Sequence, residues 1–317
     1  MQEAIIQALQ DLRSGFWDTT FVLATTLGEE VFIIAVVTLV YWNISKRSGY
    51  ILVTIYLASV VVNDLLKLTF HTRRPYEVLS GVSGLRLETA GGFAFPSGHT
   101  QGATSLFIGL ALLFRRNVIY VLAAAAIVLV GVSRLYLGVH WPVDVLGGWV
   151  FGAVVAVLVY RLLSRRKTGG VEAPGAGAPG GVAARGDYPG FRAVLAAGVV
   201  LIGLALGISL LGAGVSDLFR ESSMANIAGV SLGLILGFLL ERSYVGFSCD
   251  AAPLRKVLRY ILGLGSTAGI LIGLGVLVDS VEGRYLLQFW AELAQYLVVG
   301  TWAVGIYPLL GRRVGLF

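Results

Sequence analysis

The chain has 317 residues, 56% of them hydrophobic and only 13% charged, with a mean hydropathy of +0.82. A soluble domain carries roughly 25% charged residues, so composition excludes an ordinary soluble protein. The apolar runs are continuous rather than alternating, which excludes a membrane β-barrel. The net charge of +6 is assigned to loops beside a membrane. No soluble domain is available to carry nucleic-acid binding, and no nucleic-acid partner is expected. The single cysteine, Cys249, allows neither an intramolecular disulfide nor a cysteine-based metal site.

The expected fold class is all-α: a polytopic helical bundle whose apolar runs reach the roughly 18–20 residues that cross a bilayer core. The N-terminus "MQEAIIQALQDLRSGFWDTT" has no basic start and does not read as a cleaved signal peptide. Within it "AIIQALQDL" has helical apolar spacing and is expected to lie along the membrane surface. Five spans follow, near residues 19–42, 49–66, 100–114, 118–135 and 143–163. Glu29 and Glu30, after Gly28, interrupt the first run. They are read as a possible break between a surface segment and a short crossing that starts near Val31. Residues 166–190 are rich in glycine, proline and alanine and form a flexible linker. Four more spans are expected near 193–211, 225–240, 257–278 and 286–310. The division is thus a five-span unit (1–165), the linker, and a four-span unit (191–317) without evident chemistry.

Basic residues give the orientation. Lys46-Arg47, Arg115-Arg116, Arg161 with Arg165, Arg166 and Lys167, Arg255 with Lys256 and Arg259, and Arg312-Arg313 fall on alternate loops, which marks those loops as cytoplasmic. Lys67, Arg73, Arg74 and Arg134 then lie on the outer side, against the rule. A bound anion is the simplest reason for cations there.

Three polar stretches meet at that side: "KLTFHTRRP", "PSGH" and "SRLYLGVHWPVD". Arg74 and Arg134 offer planar forks that suit phosphate oxygens, and Lys67 offers a point charge. Ser97 and Gly98 stand where a helix begins, so their amides can face an anion. His140 and Asp144, four residues apart, share one face of a helix opened by Pro142. Asp144 can fix the tautomer of His140 and make its other nitrogen a nucleophile. His99 is placed to act as the acid. The chemistry suggested is phosphoryl transfer through a phosphohistidine, with no metal or other cofactor required. Of the remaining polar residues, Asp64 is read as steadying Lys67, His71 as a loop histidine, and Arg73 as a headgroup contact or an aid to anion capture. Glu241 is read as half of an interfacial ion pair, and the tryptophans as belts or packing.

The spacing of the three stretches resembles the signature of the type-2 phosphatidic acid phosphatase superfamily. Lys67 to Arg74-Pro75, Pro96 to His99, and Ser133-Arg134 to His140 to Asp144 correspond to it at every signature position. The resemblance covers about residues 15–165 and not the last four spans. It implies a helical-bundle core with His140 as nucleophile and His99 as acid. The expected function is hydrolysis of a lipid phosphate or diphosphate at the extracytoplasmic face of the plasma (inner) membrane. The partners are the lipid substrate and the bilayer, with the oligomeric state open. A lipid phosphotransferase using the same site is the main alternative, and a phospholipid-binding or transport protein a weaker one.

Overall fold

The structure is a computed structural model that describes residues 1–164, 223–281 and 283–317. The described residues are helical, without strands. The linker and the sixth expected span fall outside them. Six helices are long and apolar enough to cross a membrane, or seven if the bent pair at the N-terminus counts as one span.

The N-terminal unit begins with α1 (Gln2–Gln10), which is mostly exposed but buries Ile6. Helix α2 (Gly15–Thr26) is capped by Ser14, and α3 (Glu30–Asn43) follows it at a bend of 48°. The acidic doublet thus marks a real interruption, since charged side chains at the start of α3 suit a helix N-terminus better than a span interior. Helix α4 (Lys46–Phe70) is 25 residues long and runs on past the expected end, so that Lys67 lies in its last turn. A cation there faces the unpaired carbonyls of the helix C-terminus.

The short α5 (Pro75–Val78) follows, then a loop, then α6 (Gly98–Phe114), α7 (Asn117–Tyr136) and α8 (Pro142–Ser164). Alternate helices run in opposite directions. The C-terminal ends of α4 and α7 therefore meet the N-terminal ends of α6 and α8. The basic pairs Lys46-Arg47 and Arg115-Arg116 lie at the opposite helix ends. Helix α8 approaches α6 closely because Gly148 has no side chain: a Cβ there would stand 2.9 Å from Thr100 Cβ and 3.0 Å from the Ser97 carbonyl oxygen. Helix α2 packs on α7 through stacked Phe21 and Tyr136, and the Tyr136 hydroxyl donates to Asp18 at 2.6 Å.

The second compact unit contains α9 (Met224–Leu240), α10 (Pro253–Asp279), α11 (Tyr285–Thr301) and α12 (Tyr307–Arg313), together with residues 38–49. Residues 38–49, at the α3–α4 corner, group with the C-terminal helices. Trp42 is fully buried there and donates from its indole to the Ala303 carbonyl at 2.9 Å. Arg259, 1% exposed, donates to the carbonyls of Trp42, Ser248 and Leu316 and lies over the Phe317 ring. Glu241 pairs with Lys46 at 2.7 Å.

Candidate active site

The site is built from the loop between α5 and α6 and from the helix ends around it. Ala94 donates its amide to the Thr72 carbonyl at 2.8 Å, and the Phe95 amide donates to Thr72 Oγ1 at 2.7 Å. The Trp141 indole donates to the Arg73 carbonyl at 2.9 Å, so this tryptophan ties the start of α8 to the same loop. Asn63, on α4, donates to the Pro96 carbonyl at 3.2 Å and to Gln101 Oε1 at 2.9 Å. Gln101 in turn donates to the Ser59 carbonyl at 2.7 Å. Polar groups in a buried helix interface are costly unless satisfied. Here they fix the turn that precedes α6.

His140 is 2% exposed. Its Nδ1 lies 2.9 Å from the Ala94 carbonyl oxygen. A carbonyl only accepts, so Nδ1 carries the proton and Nε2 keeps the lone pair. Asp144 Oδ2 is 3.5 Å from Nδ1 and accepts the Trp141 amide at 2.7 Å. The expected His140–Asp144 pair is therefore adjacent but not the primary hydrogen bond. Burial strips water from the imidazole, and the charges of Arg74, Arg134 and Lys67 add to the effect, holding the His140 pKa well below the ordinary histidine value. The same burial and charges favour the neutral form of this imidazole.

The expected cations sit around it, with roles that differ in detail. Arg74, 2% exposed, donates from Nε to the Gly92 carbonyl at 3.0 Å and from Nη2 to the Gly91 carbonyl at 2.6 Å. Its Nη1 donates to the Val139 carbonyl at 2.9 Å and lies 3.2 Å from His140 Nε2. In this conformation Arg74 organises the loop and faces His140 Nε2, and its fork is not open to two phosphate oxygens as the sequence suggested. Arg134 is 1% exposed, and its Nη1 donates to Thr25 Oγ1 at 2.8 Å. Its Nε has no hydrogen-bond partner among the described residues, and neither has His99 Nε2. Lys67, Arg74 and Arg134 are close enough for their charges to act on both histidines.

Ser97 is fully buried and caps α6, its Oγ accepting from Thr100 Oγ1 at 2.9 Å. Its amide donates to the Asp144 carbonyl at 3.0 Å. That amide is therefore taken, contrary to its expected use as an anion donor, and the free first-turn amides of α6 begin at Gly98. Arg73 is largely exposed and pairs loosely with Glu77 at 4.0 Å. His71 has a left-handed φ of 49° and packs edge-on to Phe93. Asp64 accepts the Ser223 amide at 2.7 Å. Among the described residues, no three His, Cys, Asp or Glu side chains gather as a metal site would need.

Two participants escaped the sequence reading. The Ala94 carbonyl has no sequence signature at all. Thr25 sits in an apolar run and reads as helix filler; the only hint is that a threonine in such a run can satisfy a buried donor.

The described helices thus gather two histidines and three cations at one set of helix ends, with buried Arg134 Nε and His99 Nε2 lacking a hydrogen-bond partner among the described residues. The sequence matches the PAP2 superfamily over residues 48–168, and residues 225–317 match the transmembrane extension of PAP2 superfamily phosphatases. The chain thus carries a PAP2 superfamily domain followed by a PAP2 transmembrane extension. Three of the four last spans, to which the sequence reading gave no family, fall within the second match.

An undecaprenyl-diphosphatase of Sulfolobus acidocaldarius is 29% identical over 140 residues, 43% of this chain and 65% of that protein. Phosphatidylglycerophosphatase B of Bacillus subtilis is 27% identical over 170 residues, 50% of this chain and 80% of that protein. The crystal structure of a transmembrane PAP2 type phosphatidylglycerolphosphate phosphatase from Bacillus subtilis is similar with 27% identity and a TM-score of 0.46, covering 52% of this chain and 86% of that one. The chain thus spans just under two thirds of the first of these relatives.

Proposed function

We propose that this protein is a membrane phosphatase that hydrolyses a lipid phosphate or diphosphate through a phosphohistidine on His140. The observation that carries this reading is the orientation of His140. Its Nδ1 donates to the Ala94 carbonyl at 2.9 Å, and its Nε2 accepts from Arg74 Nη1 at 3.2 Å, a bond that the incoming phosphate displaces when it takes the arginine's charge. The unpartnered donors of His99 and Arg134 belong to the same cationic pocket.

In the first step Nε2 of His140 attacks phosphorus. The N–P bond forms as the bond to the lipid oxygen breaks, and His99 gives that oxygen a proton; because burial and the charges of Arg134, Lys67 and Arg74 lower the His99 pKa, the negative charge of the bound phosphate is what keeps this imidazole protonated for the step. In the second step water attacks phosphorus, loses a proton to His99, and releases inorganic phosphate from His140. Arg134, the charges of Lys67 and Arg74, and the Gly98 amide are the groups assigned to the charge on the transferring oxygens. Asp144 acts on His140 at longer range, through charge.

The substrate class follows from placement: the reacting groups sit at helix ends, where a headgroup meets them while its chains stay in the bilayer. Relatives named for an undecaprenyl diphosphate and for a phosphatidylglycerophosphate support both diphosphates and monophosphates as candidates. The basic pairs at the other helix ends support an extracytoplasmic site. The test is inorganic phosphate release in detergent, with EDTA present, from a panel of lipid phosphates and diphosphates compared by kcat/KM. His140→Ala is expected to abolish turnover. Full activity in that variant would overturn the nucleophile assignment.

A further inference from the structure

The family match begins at residue 48, yet three contacts at or beside the site come from the last turn of α2 and the break that follows it, at residues 25–29. Arg134 Nη1 donates to Thr25 Oγ1 at 2.8 Å, with Thr25 fully buried and Arg134 1% exposed. Gly28 lies against the first turn of α6: a Cβ at that position would stand 2.8 Å from the His99 carbonyl oxygen and 3.1 Å from His99 Cβ. Glu29 pairs with Arg86 at 3.0 Å, and its charge also acts on Arg134. Arg74 and Arg86 both oppose the charge of Arg134, so a nearby acid helps to keep these cations together.

We infer that this break is a positioning element of the phosphate site: Thr25 orients Arg134, Gly28 lets His99 take its place, and Glu29 holds Arg86 beside them. The proposal rests on the function proposed above. An arginine side chain has many rotamers, and ordering it costs entropy. One Nη1 bond to Thr25 fixes the guanidinium while its Nε edge stays without an acceptor. That is the edge an incoming phosphate oxygen would meet. An ordinary side chain at position 28 would not fit here, because its Cβ would run into the His99 backbone.

The experiment compares Thr25→Val and Thr25→Ser in the full-length protein in detergent. It reads kcat, KM, and the affinity for inorganic phosphate measured by calorimetry. Thr25→Val keeps the shape and removes the acceptor, so both kcat/KM and phosphate affinity are expected to fall roughly 10- to 100-fold, the range for a lost hydrogen bond to a charged group. Thr25→Ser is expected to restore both to within about threefold, since it returns the oxygen. Gly28→Ala is expected to lower kcat about 100-fold through displacement of His99. If Thr25→Val does not fold, Thr25→Ala, which leaves a gap in place of the methyl, takes its place.

Equal losses in Thr25→Val and Thr25→Ser with unchanged melting temperature would overturn the proposal, as would wild-type phosphate affinity in Thr25→Val. Absence of phosphatase activity in the wild-type protein would instead overturn the proposed function. The phosphate-binding comparison would still decide the role of Thr25.

Discussion

Replacement of Asp144 by asparagine separates two accounts of how His140 is oriented. In a serine-protease triad the same kind of change costs about 10⁴ in kcat, because the histidine adopts the wrong tautomer. Here the tautomer is held by the Ala94 carbonyl at 2.9 Å, whereas Asp144 Oδ2 is 3.5 Å away. Asparagine can still accept the Trp141 amide, so the turn into α8 is kept. What is lost is charge. Two unit charges 3.5 Å apart interact by roughly 5 kcal/mol at an effective dielectric of about 20. The imidazole carries only part of a charge in the transition state, and Arg74 and Lys67 already act on Asp144. The effective loss is then about 2 kcal/mol, or roughly 30-fold in kcat. Phosphate release from a saturating lipid phosphate in detergent, with the melting temperature as a control, measures it. A loss near 10⁴ in a folded Asp144→Asn protein would refute the assignment of the tautomer to Ala94.

Two further outcomes follow from the same geometry. Because burial and the neighbouring cations lower the His140 pKa, the proposed nucleophile resists protonation as pH falls. The acid limb of kcat/KM is therefore expected below the ordinary histidine range of about 6.5. Removing a positive charge with Arg74→Gln is expected to move that limb to higher pH, and a limb that moves to lower pH would contradict the cause given. In the C-terminal unit, Arg259→Met is expected to destabilise the protein by about 2–4 kcal/mol, since buried carbonyls of Trp42, Ser248 and Leu316 lose their donor. Thermal unfolding in detergent checks this, and an unchanged midpoint would show that water replaces the guanidinium.

Much of the site was legible in the sequence because charged residues and histidines are rare in apolar surroundings and stand out at span ends. The start of α6 could be read from Pro96-Ser97-Gly98, and the end of α7 from Ser133-Arg134. The break after Gly28 showed as an acidic doublet, although its part in the site did not, since nothing in "LATTLGEE" indicates which helix it faces. The sequence reading also overstated the use of particular atoms. Arg74 and the Ser97 amide are of types that bind phosphate, but the loop between α5 and α6 supplies carbonyl acceptors for the first, and Asp144 supplies one for the second. Residue types reveal what chemistry is available. Which donor remains free depends on backbone oxygens that no side-chain pattern encodes. For the same reason the packing of residues 38–49 with the C-terminal helices could not be read, because Trp42 resembles any interfacial tryptophan until its indole partner is seen.

The most direct measurement is to mix the protein with a lipid phosphate labelled on phosphorus, quench within a turnover, and map the labelled peptide. A phosphoprotein that is stable to base, labile to acid and labelled on His140 is the expected result. Label on another residue, or complete turnover with no labelled protein at any quench time, would contradict it.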